Sequence, residues 1–175
     1  IERTAHRLFH LREHLAVYAT PGLPPLNFDW IEERVAAGRN PLTVRDVDAL
    51  AALGVTHFLD LRGQSEYTAP RLGAEAVARI DGSSLRRFNL AVTDMGAPTK
   101  SDFNAAYAFI ERTLSDRESR IYIHCRAGME RTAAILIAYF ARRDGTSYDR
   151  TLARLRCRRE ILQPLPHQEI VVREW

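Results

Sequence analysis

The chain predicts an α/β fold in three layers, a central mixed and mostly parallel sheet of four to five strands flanked by helices. Three observations carry this. Short apolar runs at residues 55–61 and 121–123 have strand character, and stretches of helical periodicity separate them. The second of these runs leads, across a short loop, into Ala-Ala-Ile-Leu-Ile-Ala-Tyr-Phe-Ala at residues 133–141, apolar enough for a buried helix. With 175 residues and 46% hydrophobic content the chain can bury one sizeable core, whereas two domains would each be small.

The elements follow in order. Leu8, Leu11 and Leu15 recur at helical spacing among charges, which predicts an N-terminal helix, with a short strand possible at residues 16–20. Pro21-Gly22-Leu23-Pro24-Pro25 can join neither a helix nor a central strand. Residues 1–25 are therefore expected to pack as a helix and linker on a main unit of residues 26–175. Thr43 is a good N-cap for a helix with Val44, Val47, Leu50 and Ala51 inward, and Gly54 supplies its stop. The strand at 55–61 ends at Arg62-Gly63, and a basic residue past a strand's carboxyl end in such a sheet points toward the ligand crevice. Arg62 is expected either to meet substrate or to pair with an acid such as Glu66. A turn broken by Pro70, a short helix and a turn at Asp81-Gly82 come next.

Phe88, Leu90 and Val92 alternate as a half-buried strand does, and a polar loop follows, Thr93-Asp94-Met95-Gly96-Ala97-Pro98. Thr99 or Ser101 opens a helix with Phe103, Tyr107, Ile110 and Leu114 inward. Asp144-Gly145 closes the buried helix, and Ser147 caps another that buries Tyr148, Leu152 and Leu155. Cys157 falls off that stripe as a free structural thiol. The tail at 162–175 is amphipathic and should pack back on the body. The run Arg154-Leu-Arg156-Cys-Arg158-Arg159 reads as a solvated helix face.

The loop between the 121–123 strand and the buried helix begins with His124-Cys125 and ends with Arg131-Thr132, Gly128 lying between. A strand-loop-helix of this kind converges backbone N–H groups and a helix N-terminus on one point, which suits an oxyanion. The same field favours a thiolate at Cys125. Arg131 adds a planar, permanently charged fork for two phosphate oxygens. A thiolate in a phosphate cradle is equipment for phosphoryl transfer through a phosphocysteine. His124-Cys125-x5-Arg131-Thr132 resembles the signature of the cysteine-dependent protein tyrosine phosphatase superfamily. The short chain is similar to its small atypical dual-specificity members, and residues 26–31 and 35–38 resemble their opening edge strands.

The resemblance implies a cycle. Substrate phosphate rests on the N–H groups of Arg126, Ala127, Gly128, Met129, Glu130 and Arg131, and the Arg131 guanidinium closes over two of its oxygens. Cys125 attacks in line, Thr132 stabilises the sulfur, and His124 orients the loop. The leaving oxygen needs a proton donor. Asp94, on a loop at the sheet edge that carries Cys125 and followed by Pro98, resembles the acid of dual-specificity phosphatases. The rival, Asp102, falls in the first turn of a helix, where the dipole explains a carboxylate. Implied substrates are phosphotyrosine and phosphoserine or phosphothreonine of proteins, and phosphate, sulfate or vanadate should occupy the cradle. A lysine that phosphoinositide members often carry is replaced by Met129, whereas Arg126 is a cation some lipid phosphatases have. Inositol phosphates and 5′-triphosphate RNA stay open, as does a catalytically silent phosphate-binding module.

Composition bounds the rest. Formal net charge is +3, compatible with anionic substrates, and no dense basic stripe points to nucleic acid. Two cysteines make no disulfide framework, and a catalytic thiolate favours a reducing compartment, hence the cytoplasm. No apolar run approaches the ~20 residues that span a bilayer. No His/Cys/Asp cluster has metal-ligand spacing, so neither metal nor cofactor is expected.

Overall fold

A computed structural model describes residues 25–68 and 73–175. The expected N-terminal helix, the strand at 16–20, all but the last residue of the proline-rich connector, and Pro70 lie outside the described residues. Five strands, β1 (Phe28–Glu32), β2 (Val35–Gly38), β3 (His57–Asp60), β4 (Arg86–Asn89) and β5 (Ile121–His124), form one sheet in the order β1-β2-β5-β3-β4. Only the β1–β2 hairpin is antiparallel; β2, β5, β3 and β4 run parallel. The expected architecture, a mixed and mostly parallel sheet between helical layers, is the observed one.

Period-two alternation sorts side chains onto two faces. Ile121 and Ile123 of β5, with Leu59 of β3 and Ala37 of β2, face one core. Tyr122, Phe58 and Ala36 face the other. The second core is closed by Val47 and Leu50 of α1 (Val44–Ala52) and by Ala76 and Ile80 of α2 (Ala74–Asp81). Against the first pack α3 (Lys100–Ser115), α4 (Glu130–Asp144), α5 (Tyr148–Arg156) and α6 (Pro166–Glu174). All eleven residues from Glu130 to Phe140 are buried, so α4 is the interior helix its apolar run predicts. At ~1.5–3 kcal/mol for each large aliphatic or aromatic side chain buried, this helix is a main contributor to the core.

Local signals set most boundaries. Thr43 and Thr99 both cap reciprocally, each hydroxyl accepting from the amide of Asp46 or Asp102 and each carboxylate accepting from the threonine amide. Asp102 is thereby spent on its helix end. Gly54 (φ 87°) and Gly145 (φ 61°) take the left-handed conformation that stops α1 and α4. Three expectations shift. Val44 is exposed rather than inward. β4 ends at Asn89; Leu90 and Val92 are buried beyond it, their amides donating to the carbonyls of Asp60 and Leu61. The interior helix starts at Glu130, three residues before its apolar run, so Arg131 and Thr132 stand in its first turn. Among the described residues no helix is long and apolar enough to cross a membrane.

Candidate active site

Parallel pairing brings the carboxyl ends of β3 and β5 side by side, with Asp60 opposite His124. The loops after these strands and after β4 therefore open at one edge, and Cys125, Arg62, Glu66 and Asp94 all lie on them. Cys125 is buried at the end of β5.

The loop from Cys125 to Met129 turns every one of its five carbonyls outward onto a donor. Cys125 O lies 3.2 Å from His124 Nδ1. Arg126 O accepts from the Asn40 amide at 3.1 Å. Ala127 O and Gly128 O accept from Arg159, from Nη2 at 3.3 Å and from Nε at 3.0 Å. Met129 O accepts from the amides of Gln163 and Ala133. Because a peptide plane that sends its C=O to one side sends its N–H to the other, this pattern aims the loop amides at the space inside the turn. The α4 N-terminus adds its partial positive charge there. Gly128 makes the turn possible: its φ is 68°, and a Cβ would collide with the backbone of Gly38.

Arg131 is buried, and its guanidinium spans the crevice. Nη1 donates to Glu66 Oε2 (2.7 Å), Val92 O (2.9 Å) and Leu61 O (3.3 Å). Nη2 donates to Glu66 Oε1 and to Asp94 Oδ1, at 2.8 and 2.7 Å. Burial works against its charge, but the Glu66 hydrogen bonds and the charges of Cys125, Glu66 and Asp94 outweigh burial and raise its pKa further. Asp94 is 36% exposed, and its other oxygen lies 3.9 Å from Arg126 Nη1. The predicted residues Cys125, Arg126, Arg131 and Asp94 thus converge. Thr132 is fully buried in the first turn of α4, and its hydroxyl meets no protein hydrogen-bond partner among the described residues.

Behind the loop lies a second charged layer. Arg62, expected at the substrate or on Glu66, is buried and holds Asp60 instead, through its amide, Nε and Nη2 at 3.1, 2.9 and 2.8 Å. Glu66 belongs to Arg131. With the Asn40 amide in the orientation that satisfies both its ends, its nitrogen donates to Arg126 O and its oxygen accepts from Arg62 Nη1. Arg62 therefore supports the loop through Asn40. Burial opposes the Asp60 charge, but attraction to His124 and Arg62 overcomes it and holds the carboxyl at about 2. Burial pushes the His124 imidazole down to about 4 against the pull of Asp60, so the ring is neutral at neutral pH. Its proton belongs on Nδ1, against the Cys125 carbonyl.

A model of the dual specificity phosphatase catalytic domain matches residues 40–175. The chain belongs to the dual specificity phosphatase family. Mouse dual specificity protein phosphatase 1 is 35% identical over 68 residues, which is 39% of this chain and 18% of the mouse protein. Bovine dual specificity protein phosphatase 26 is 34% identical over 91 residues, 51% of this chain and 40% of that protein. The matched segments thus span less than half of these relatives. Among solved structures, Tk-PTP in its active form superposes with a TM-score of 0.74 at 20% identity, covering 84% of this chain and 94% of that one. PTPMT1 in complex with PI(5)P gives 0.73 at 18% identity, covering 84% and 92%. At these identities the two structures establish a shared fold.

For this dual specificity phosphatase family member, several residues around the cradle escape a reading by motif. Asn40 and Arg159 reach the loop, and Glu66 reaches Arg131, from elsewhere in the sequence, at ordinary positions for polar residues. Arg159 corrects the expected solvated face: Arg154, Arg156 and Arg158 are exposed, but Arg159 is buried under the loop and anchored on Asp29 at 2.7 Å. Cys157 is free and exposed at the end of α5.

Proposed function

We propose that the chain hydrolyses phosphomonoesters through a phosphocysteine, acting on phosphotyrosine and also on phosphoserine or phosphothreonine of proteins. The observation that carries this is the outward tethering of all five carbonyls from Cys125 to Met129 beside the buried Arg131 guanidinium. That arrangement supports a preorganised, positively polarised cradle around a cysteine sulfur.

In the first step Sγ of Cys125 attacks phosphorus in line. The P–O ester bond breaks, and the departing oxygen takes the proton of Asp94. The incoming phosphate competes with Asp94 for Arg131 Nη2, which frees the acid to turn to the leaving group. In the second step water attacks phosphorus, Asp94 receives its proton, and the S–P bond breaks to release inorganic phosphate and the thiolate. Arg126, with Arg131 and the amides from 126 to 131, binds the phosphate oxygens. Thr132, with its hydroxyl unclaimed, supports the thiolate as a leaving group. His124 holds the Cys125 carbonyl and stays neutral. No step requires a metal or cofactor. A reducing compartment such as the cytoplasm suits the thiol.

The test is turnover of p-nitrophenyl phosphate. Wild type should turn over and Cys125→Ser should abolish the reaction, while Asp94→Ala should slow the hydrolysis of alkyl or unactivated phenolic esters, whose leaving groups are poor, by about 10²–10⁴. Retention of activity by Cys125→Ser would reject the phosphocysteine. Absence of wild-type turnover with intact vanadate binding would instead favour a silent phosphate-binding module. A second reading, phosphoinositide hydrolysis, is favoured by the likeness to PTPMT1, solved with PI(5)P, and by the cation Arg126 at the rim. Rates on phosphopeptides against phosphoinositides separate the two.

A further inference from the structure

We propose that the C-terminal helix positions the general acid, with Gln168 as the positioning residue and His167 as its auxiliary; this rests on the phosphatase reading above. Between Val92 and Pro98, both buried, residues 93–97 have no buried side chain to anchor them. The turn is closed by the Gly96 amide on Thr93 O at 2.8 Å, with Met95 in the left-handed region at φ 62°, a conformation a side chain resists. Such a turn needs outside support, and α6 provides it. Gln168 Nε2 donates to Gly96 O at 2.6 Å, and His167 Nε2 lies 2.8 Å from Met95 O. Gln168 is fully buried and uses both ends of its amide, since Oε1 accepts from the Leu165 amide at 3.0 Å. Two consecutive carbonyls immediately after Asp94 are thereby tied to a helix more than seventy residues downstream in sequence. Proton donation requires the carboxyl within hydrogen-bond reach of the leaving oxygen, so a loosened turn weakens acid catalysis before it weakens phosphate binding.

The decisive variant is Gln168→Glu. It preserves size and the acceptor for the Leu165 amide, but sets a carboxylate oxygen against Gly96 O. Rates are measured over a series of aryl phosphates of rising leaving-group pKa, with vanadate inhibition as the binding control. Gln168→Glu should lose about 10–100-fold on the poorest leaving groups, a part of the full general-acid contribution. It should stay near wild type on the best leaving group and keep its vanadate affinity. In an Asp94→Ala background the same substitution should add almost nothing, because the acid it positions is gone. Equal losses across all leaving groups, undiminished losses in the Asp94→Ala background, or no loss at all would each overturn the proposal. If Gln168→Glu does not fold, the exposed His167→Ala decides in its place through the same leaving-group slope, smaller in size; an unchanged slope there rejects the proposal. An inactive wild type would instead count against the phosphatase reading.

Discussion

A methyl group on residue 128 would meet the carbonyl carbon and oxygen of Gly38 while holding φ at 68°, so Gly128→Ala faces a collision and a left-handed penalty together. The penalty alone is about 1–2 kcal/mol, and the collision must push the loop off the β1–β2 hairpin. Gly128→Ala should therefore lower turnover by well over tenfold and destabilise the fold by roughly 2 kcal/mol or more in urea titration. A variant with unchanged vanadate affinity would mean that the cradle tolerates the shift. The Asp60–His124 pair makes a second residue-level prediction. The imidazole titrates near 4 when folded and near 6.5 when unfolded, so between those values the unfolded chain binds more protons. Stability should thus be complete above about pH 6.5 and fall as pH drops toward 4, by roughly 2–3 kcal/mol. Asp60, held at about 2, continues the loss below about pH 4. His57 shifts in the same direction but is only half-buried, which screens its contribution. Urea midpoints at pH 7 and 4.5 check this: His124→Gln should remove most of the difference, and an equal fall in the variant would assign the effect elsewhere.

At the scale of elements, the cradle is a loop held from three sides. The β1–β2 hairpin backs it through Gly38, the segment just after β2 through Asn40, and the turn after α5 and the segment before α6 through Arg159 and the Gln163 amide. Arg159 has the largest share, since it alone serves two carbonyls and is itself buried on Asp29. Arg159→Met should leave Ala127 O and Gly128 O without a donor, at ~1–3 kcal/mol for each buried group left unpaired. Expected together are a lower urea midpoint and a vanadate inhibition constant at least several-fold weaker. Asp29→Asn should cost less, because the Asp29 side chain is 45% exposed and keeps an acceptor oxygen. If Arg159→Met weakens stability but not vanadate binding, the loop keeps its shape without that clamp.

At the scale of the whole molecule the proposed anion site should couple ligand to fold, because its parts meet only when hairpin, sheet edge, α4 and the turn after α5 are assembled. An oxyanion that binds the folded state alone stabilises it by about 2.7 kcal/mol at a hundred times its Kd. For a chain of this size that corresponds to a rise in Tm of about 5–10 °C. Vanadate should produce it in wild type and not in Arg131→Met, as read by thermal denaturation. A rise of the same size in Arg131→Met would mean that the anion binds elsewhere.

What one stretch of chain can encode was legible without coordinates. The strand-loop-helix around Cys125 declares itself because its apolar runs, glycine and arginine all sit between residues 121 and 141 and each serves a neighbour. The helices capped at Thr43, Thr99 and Ser147, the interior helix, and the apolar run at 55–61 that holds β3 follow from side-chain pattern and from the residues at their ends. The partners of the charged side chains did not follow. Arg62 stood two residues from Asp60 and four from Glu66, and either carboxylate was a chemically adequate mate. Parallel pairing of β3 with β5 decided it by setting Asp60 beside His124 and leaving Glu66 to Arg131. Arg159 and Gln168 carried no local sign at all, since an arginine after a helix and a glutamine in a tail are ordinary surface residues. The chain itself determined that a cysteine would precede and an arginine follow the turn into a buried helix, because backbone preference and hydrophobic period act over a few residues. Tertiary structure alone decided which distant donors take the carbonyls of residues 126–129 and of the turn after Asp94, because a buried hydrogen bond depends on what the fold brings within reach.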